Sequence, residues 1–99
     1  MKLCVHIIDM NNDWCLIPIT PYYIRPKKNG SEAFSFDDEK YDIHAFGYTL
    51  SELIKDTLDE IVFAWEEYAE ADDEILDSGA LNLKRKLLLN FRKVAKKDA

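Results

Sequence analysis

Two histidines, two cysteines and three dense carboxylate runs are the side chains of this sequence with the most obvious chemical uses. His6 and His44 fall on different expected strands and have only scattered acidic neighbours, so a satisfied strand histidine is the better reading of each than a general base or a ligand. Cys4 and Cys15 form neither a C-x-x-C pair nor part of a metal-spaced set, and read as buried free thiols. The triplets Asp37-Asp38-Glu39 and Asp72-Asp73-Glu74 could collect a divalent ion, but neither has the alternating ligand spacing and glycine of a calcium loop. Solvated turns account for them better. No G-x-S-x-G, H-E-x-x-H or glycine-rich phosphate loop occurs, and three glycines in all leave little material for a phosphate cradle. The expectation is a protein that is not an enzyme and uses no metal or cofactor.

The third run, DEIVFAWEEYAEADDE from Asp59 to Glu74, has a different chemistry available: noncovalent recognition. It holds eight acidic residues and three aromatics and no basic residue. Trp65 and Tyr68 share the apolar side of the expected helix, while Phe63 projects from the acidic side. There it is flanked at i-4, i-3, i+3 and i+4 by Asp59, Glu60, Glu66 and Glu67, the surface neighbours of a helical residue. A large ring ringed by carboxylates matches an interface anchor with a charged rim, the ring giving desolvated contact and the rim steering the partner. Equally open is that the C-terminal helix folds back over Phe63 and neutralises the acid within the molecule. The candidate contact set is Phe63 with Asp59, Glu60, Glu66, Glu67, Glu70, Asp72, Asp73 and Glu74.

The elements that position this surface can be read from local pattern. KLCVHII, residues 2–8, is apolar and β-branched and runs into DMNND, a turn cluster. WCLIPITPYYI, residues 14–24, reads as its hairpin partner, with Pro18 and Pro21 demoting it to an edge or bulged strand. Pairing about Asn11-Asn12 sets Met10 opposite Asp13, Cys15 opposite Ile8 and Cys4 opposite Ile19, which leaves the two thiols out of disulfide reach. A long exposed connection from Arg25 to Lys40 follows, within which AFSF can add a short strand, and YDIHAFG, residues 41–47, alternates as a further strand.

Thr49-Leu50-Ser51-Glu52 has the T-x-x-E spacing of a capping box, with Tyr48 and Leu53 placed for a hydrophobic staple. At about 100° per residue, Leu50, Leu53, Ile54, Thr57, Leu58, Ile61, Ala64, Trp65 and Tyr68 form one face, which should pack on the sheet. Asp72-Asp73-Glu74 breaks the period, and Asp77 or Ser78 can cap a second helix extending through Lys97 with Ala80, Leu83, Leu87, Leu88, Phe91, Val94 and Ala95 inward. The fold class that follows is α+β: an antiparallel sheet of three or four strands with two helices packed on one face.

The 99 residues suffice for one domain, residues 1–99, with a single core. A content of 47% hydrophobic and 32% charged residues is that of a folded globular chain. The N-terminal apolar run is too short for a signal-peptide core, and no run approaches the roughly 20 residues of a membrane span. A cytoplasmic location and no membrane partner are therefore expected. Net charge is -6, but it is segregated: +2 over residues 1–31, -14 over 32–77 and +7 over 78–97. Like carboxylates at i,i+4 repel by a few tenths of a kcal/mol per pair, so clustering them has no structural benefit of its own. A basic partner would supply the compensation. Enzymes acting on nucleic acid carry positive grooves, so a basic nuclease is the obvious kind. Lys84, Arg85, Lys86, Arg92, Lys93, Lys96 and Lys97 could touch nucleic acid, but a pI near 4.8 and the adjacent acid argue against it and for internal pairing or solvation.

The segment IHAFGYTLSELIKDTLDEI, residues 43–61, resembles the strand-to-helix junction of HicB-type antitoxins, with Gly47, Thr49, Glu52 and Leu53 at the matching positions. In size, acidity, single α+β domain and lack of catalytic motifs, the chain also resembles the immunity proteins of contact-dependent growth inhibition and related bacterial polymorphic-toxin systems. That resemblance implies a cytoplasmic protein that binds one cognate toxin domain tightly and blocks its active site or substrate access. The HicB resemblance implies, as an alternative, a toxin-antitoxin partner that also contacts nucleic acid through residues 84–97. A self-associating structural protein, pairing through the hairpin edge, is a third class, so the free state is a monomer or a homodimer.

Overall fold

In the computed structural model, which describes residues 1–99, the N-terminal hairpin is built from arms that are out of step. Strand β1 (Leu3–Val5) pairs antiparallel with β4 (Tyr22–Ile24), setting Val5 opposite Tyr22, while β2 (Ile8–Asp9) pairs with β3 (Trp14–Pro18), setting Ile8 opposite Leu16. Between those pairs one arm advances three residues and the other six. The surplus falls at Ile17–Pro21, where Pro18 and Pro21 have no N–H to give a ladder. At the turn, the Asn11 side-chain oxygen accepts from the N–H groups of Asp13 and Trp14 at 2.9 and 3.0 Å. Asp9, not Ile8, therefore faces Cys15, one step from the register expected from a tight Asn11-Asn12 turn. Cys15 is buried but Cys4 is exposed; both are free thiols.

A second hairpin continues into the helix. Strands β5 (Lys27–Asn29) and β6 (Ala33–Asp38) turn at Gly30, whose φ of 63° is the left-handed conformation that glycine adopts freely. Strand β7 (Ile43–Gly47) pairs with β6, and its alternation places Ile43, Ala45 and Gly47 inward and His44 and Phe46 outward. Helix α1 (Leu50–Ala64) packs on β7 and β6. Its end is wound as a π-helical turn, Trp65–Ala69, in which the Glu70 N–H reaches back to the Trp65 carbonyl at 3.0 Å.

Helix α2 (Ser78–Asn90) begins as expected, the Asp77 carboxylate accepting from the Ala80 N–H at 2.8 Å. It does not run to Lys97. Phe91–Ala95 instead form strand β8, which pairs antiparallel with β3 from Trp14↔Ala95 to Pro18↔Phe91. Asn90 makes the switch: its Nδ2 donates to the Lys86 carbonyl at 2.7 Å, while its carbonyl accepts from the Ile19 N–H at 2.7 Å. The open side of β3 offers ladder hydrogen bonds that a free helix end lacks, and a Phe-Val segment suits a strand as well as a helix.

The molecule is α+β with antiparallel pairing throughout and helices packed against sheet. Its strands are spread over three short sheets, β1-β4, β2-β3-β8 and β5-β6-β7, where the sequence suggested one. One core joins them. Ile8, Leu16, Ile24, Ile43, Leu53, Ile61, Leu87 and Phe91 are all but inaccessible, each such burial contributing about 1.5–3 kcal/mol. Tyr22, Tyr41 and Phe91 meet with ring centroids 5.5 to 6.0 Å apart. The Tyr22 hydroxyl donates to Asp38 at 2.9 Å, tying the end of β4 to the end of β6. Burial and the Asp38 charge push the Tyr41 hydroxyl up to about 12.

Candidate functional site

Helix α1 is fixed first at its start. Thr49 Oγ1 accepts from the Glu52 N–H at 3.1 Å, and Glu52 Oε1 accepts from the N–H groups of Thr49 and Tyr48 at 3.0 and 3.1 Å. This is the capping box read from the sequence. Just before it, a Cβ on Gly47 would lie 2.4 Å from the Leu53 nitrogen and 2.8 Å from the Glu52 carbonyl carbon, so only glycine lets strand and helix approach this closely. The inner face is the expected one: Leu53, Thr57, Ile61, Ala64 and Trp65 are buried, and Leu50, Ile54, Leu58 and Tyr68 are half-buried. The buried Thr57 hydroxyl donates to the Leu53 carbonyl at 2.8 Å. The Trp65 indole N–H is buried without a partner.

With that face committed to the core, the opposite one is presented to solvent, and Phe63 is 56% exposed there. Helix α2 packs on the π-helical turn and does not cover the ring. The carboxylates around it divide into two groups. Asp59 pairs with Lys55 at 2.7 Å, Glu70 with Lys93 of β8 at 2.7 Å, and Asp73 with Lys84 of α2 at 2.8 Å. The hydrogen bond to Lys84 holds the Asp73 carboxyl below its usual range, and that to Asp59 raises Lys55. Glu60, Glu66, Glu67, Asp72 and Glu74 make no ion pair. Neutralisation by the C-terminal segment thus reaches two of the eight acidic positions, Glu70 and Asp73; Asp59 is offset within its own helix, and neither Phe63 nor the other five carboxylates are met.

The aromatic part of this region is larger than the sequence suggested. Phe46 and Tyr48 are 48% and 69% exposed and meet edge-to-face at 5.1 Å, so Tyr48 points to solvent instead of stapling Leu53. Asp56 on α1 accepts from the Phe46 N–H at 2.9 Å, and a cleft of about 420 Å³ lined by Phe46, Glu52, Lys55, Asp56 and Asp59 runs between β7 and α1. The outward position of Phe46 was available from the period-two pattern of IHAFG; the carboxylate that occupies its N–H was not.

The remaining candidates do not converge. His44 sits between Asp37 and Asp42, with Nδ1 2.8 Å from Asp37 Oδ1 and Nε2 3.1 Å from Asp42 Oδ1, and the hydrogen bond to Asp37, then that to Asp42, raises its pKa. Both ring nitrogens are engaged, and His6 lies exposed between β1 and β2, outside either strand. Nowhere do three His, Cys, Asp or Glu side chains gather as a metal centre requires. Of the seven C-terminal basic residues, Lys84, Lys93 and Lys96 are spent on Asp73, Glu70 and Asp9. No helix is long and apolar enough to cross a membrane.

The arrangement offers contact chemistry: an exposed ring, uncompensated carboxylates and a shallow polar cleft, on a helix anchored at its start. No protein-family model matches the chain, and no significant match was found among curated proteins or solved structures.

Proposed function

We propose that the protein is a cytoplasmic immunity-type inhibitor that binds one cognate bacterial toxin domain, a basic one such as a nuclease, and neutralises it through the outward face of α1 and the turn that follows. The observation that carries this reading is Phe63, more than half exposed and flanked along the helix by Glu60, Glu66 and Glu67, carboxylates without internal partners. A buried ring supplies affinity once desolvated, and unpaired charge steers a basic partner and rejects acidic ones. The reading assigns the chain no catalytic step. It refines the contact set: Phe63 is the anchor, Glu60, Glu66, Glu67, Asp72 and Glu74 steer, and Asp59, Glu70 and Asp73 contribute less because lysines already offset them.

The test is co-expression. A basic protein captured by the purified chain from a lysate of its source cells is expressed with and without the chain in a sensitive host. Relief of its toxicity supports the inhibitor reading. Capture of nucleic acid through Arg85, Lys86, Arg92 and Lys97 would favour the HicB-like antitoxin instead.

A further inference from the structure

We propose that the cleft between β7 and α1 is a socket for an arginine side chain presented by a basic partner, its guanidinium lying against Phe46 and bonding to Asp56 and Glu52. The two walls of the cleft carry different chemistry. On the strand side Phe46 and Tyr48 stand 48% and 69% exposed, held edge-to-face at an interplanar angle of 85°. Rings fixed by their mutual contact present π surface to solvent in a set orientation. On the helix side stand Glu52, Asp56 and Asp59, each about one turn from the next along α1.

Glu52 and Asp56 are each oriented through one oxygen and leave the other open. Asp56 Oδ2 accepts from the Phe46 N–H at 2.9 Å, and Glu52 Oε1 accepts from the N–H groups of Tyr48 and Thr49, while Asp56 Oδ1 and Glu52 Oε2 have no donor. The bond to the Phe46 backbone thus holds an anion beside an exposed ring. Lys55, the one cation lining the cleft, is paired with Asp59 at 2.7 Å. Three carboxylates against one ammonium leave the cleft negative, in a chain of net charge -6, so a cation is drawn in and an anion refused. A guanidinium fits these walls better than an ammonium. It is planar, stacks on a ring face, is the more weakly hydrated cation, and carries a fork of N–H donors that two carboxylate oxygens can share.

Asp56 and Phe63 are seven residues apart on one face of α1, a rise of about 10 Å. A toxin that seats Phe63 therefore carries its arginine about 10 Å from the pocket for that ring. That placement rests on the inhibitor reading; the preference for a guanidinium rests on the walls of the cleft alone. The experiment is a titration of the isotope-labelled chain with hexa-arginine and, separately, with hexalysine, followed in amide NMR spectra at physiological salt. Hexa-arginine is expected to shift the Phe46, Tyr48 and Asp56 amides at a concentration about threefold or more below that hexalysine needs, the margin an exposed cation–π contact supplies. Phe46→Leu, apolar but without a ring, should bring the two peptides level. Asp56→Asn, whose side-chain oxygen still accepts from the Phe46 N–H, should weaken hexa-arginine binding about threefold or more, whereas Glu32→Gln, the same loss of charge away from the cleft, should not. An unaltered spectrum outside the cleft checks the fold of each variant. Equal response to the two peptides, shifts spread evenly over the acidic face, or an Asp56→Asn chain that behaves as Glu32→Gln does would overturn the proposal. A captured toxin that holds the Phe46→Leu and Asp56→Asn chains as tightly as the wild type would also overturn it and leave the inhibitor reading standing. Guanidinium-selective binding at the cleft with no toxin captured would leave this inference standing and remove that reading.

Discussion

Replacing Phe63 with alanine separates a binding role from a structural one, because the two roles load different free energies. A fully buried phenylalanine costs about 3–5 kcal/mol to truncate. Phe63 is 56% exposed, and full burial of such a side chain is itself worth only about 1.5–3 kcal/mol, so a little under half of that, near 1 kcal/mol, is the stability at risk. Alanine returns about 0.5 kcal/mol through its higher helix propensity. The net loss should be within about 1 kcal/mol, read as a small shift of the urea midpoint with unchanged slope. Against a toxin, truncating a central aromatic anchor should cost about 2 kcal/mol or more, a thirtyfold faster dissociation with little change in association rate. A loss of stability of several kcal/mol, or an unchanged dissociation rate, would refute the assignment of the ring to an interface.

Other outcomes follow from the same geometry. Gly47→Ala should destabilise the protein by about 1–3 kcal/mol in urea, since its Cβ would sit 2.4 Å from the Leu53 nitrogen in a junction closed by the capping box. Tyr22→Phe should cost about 1.5 kcal/mol by leaving half-buried Asp38 without the hydroxyl at 2.9 Å, and a neutral result would remove that bond from the account. The His44 imidazole is raised by Asp37 and Asp42, so its contribution to stability is fully present below about pH 6.5 and is lost as pH rises through the higher folded value. In an NMR titration its midpoint should fall in Asp37→Asn and again in Asp37→Asn with Asp42→Asn; a midpoint that ignores both changes would contradict the pairing.

The start of α1 was legible because its signals are local: Thr49, Glu52 and the apolar faces lie within one segment and agree with one another. The same holds for the Asp77 cap of α2, whereas the stretch read as a long exposed connection from Arg25 to Lys40 holds the hairpin of β5 and β6, because the polar Lys27–Asn29 carries no alternation to mark it as a strand. What else escaped depends on distant chain. Leu87 and Phe91 fit an inward helix stripe as well as they fit a helix ending in a strand, and only the open side of β3 decides between them. The hairpin register shifted because Asn11 widens the turn and because Pro18 and Pro21 force the surplus into one arm.

At the candidate site, the exposed position of Phe63 could be read from its place on the helix, but its carboxylate neighbours could not be sorted. Glu70 is matched by Lys93 only because residues 91–95 form a strand, and Asp73 by Lys84 only because α2 packs on the π-helical turn. Lys55 and Asp59, one helical turn apart, were within reach of sequence reasoning. Cys4, taken as buried, is exposed because it alternates with Leu3 and Val5, which pack against the core, and so points to the other face of β1.

The central claim is that the face around Phe63 recognises a basic toxin. Its most direct measurement is affinity capture from the source-cell lysate on two baits side by side, the wild-type chain and a variant with Phe63→Ala, Glu66→Lys and Glu67→Lys whose folding has been checked by circular dichroism. The account predicts that one basic protein is retained by the first bait at low salt, more weakly at physiological salt, and not by the second. Identical captured sets on both baits would contradict it.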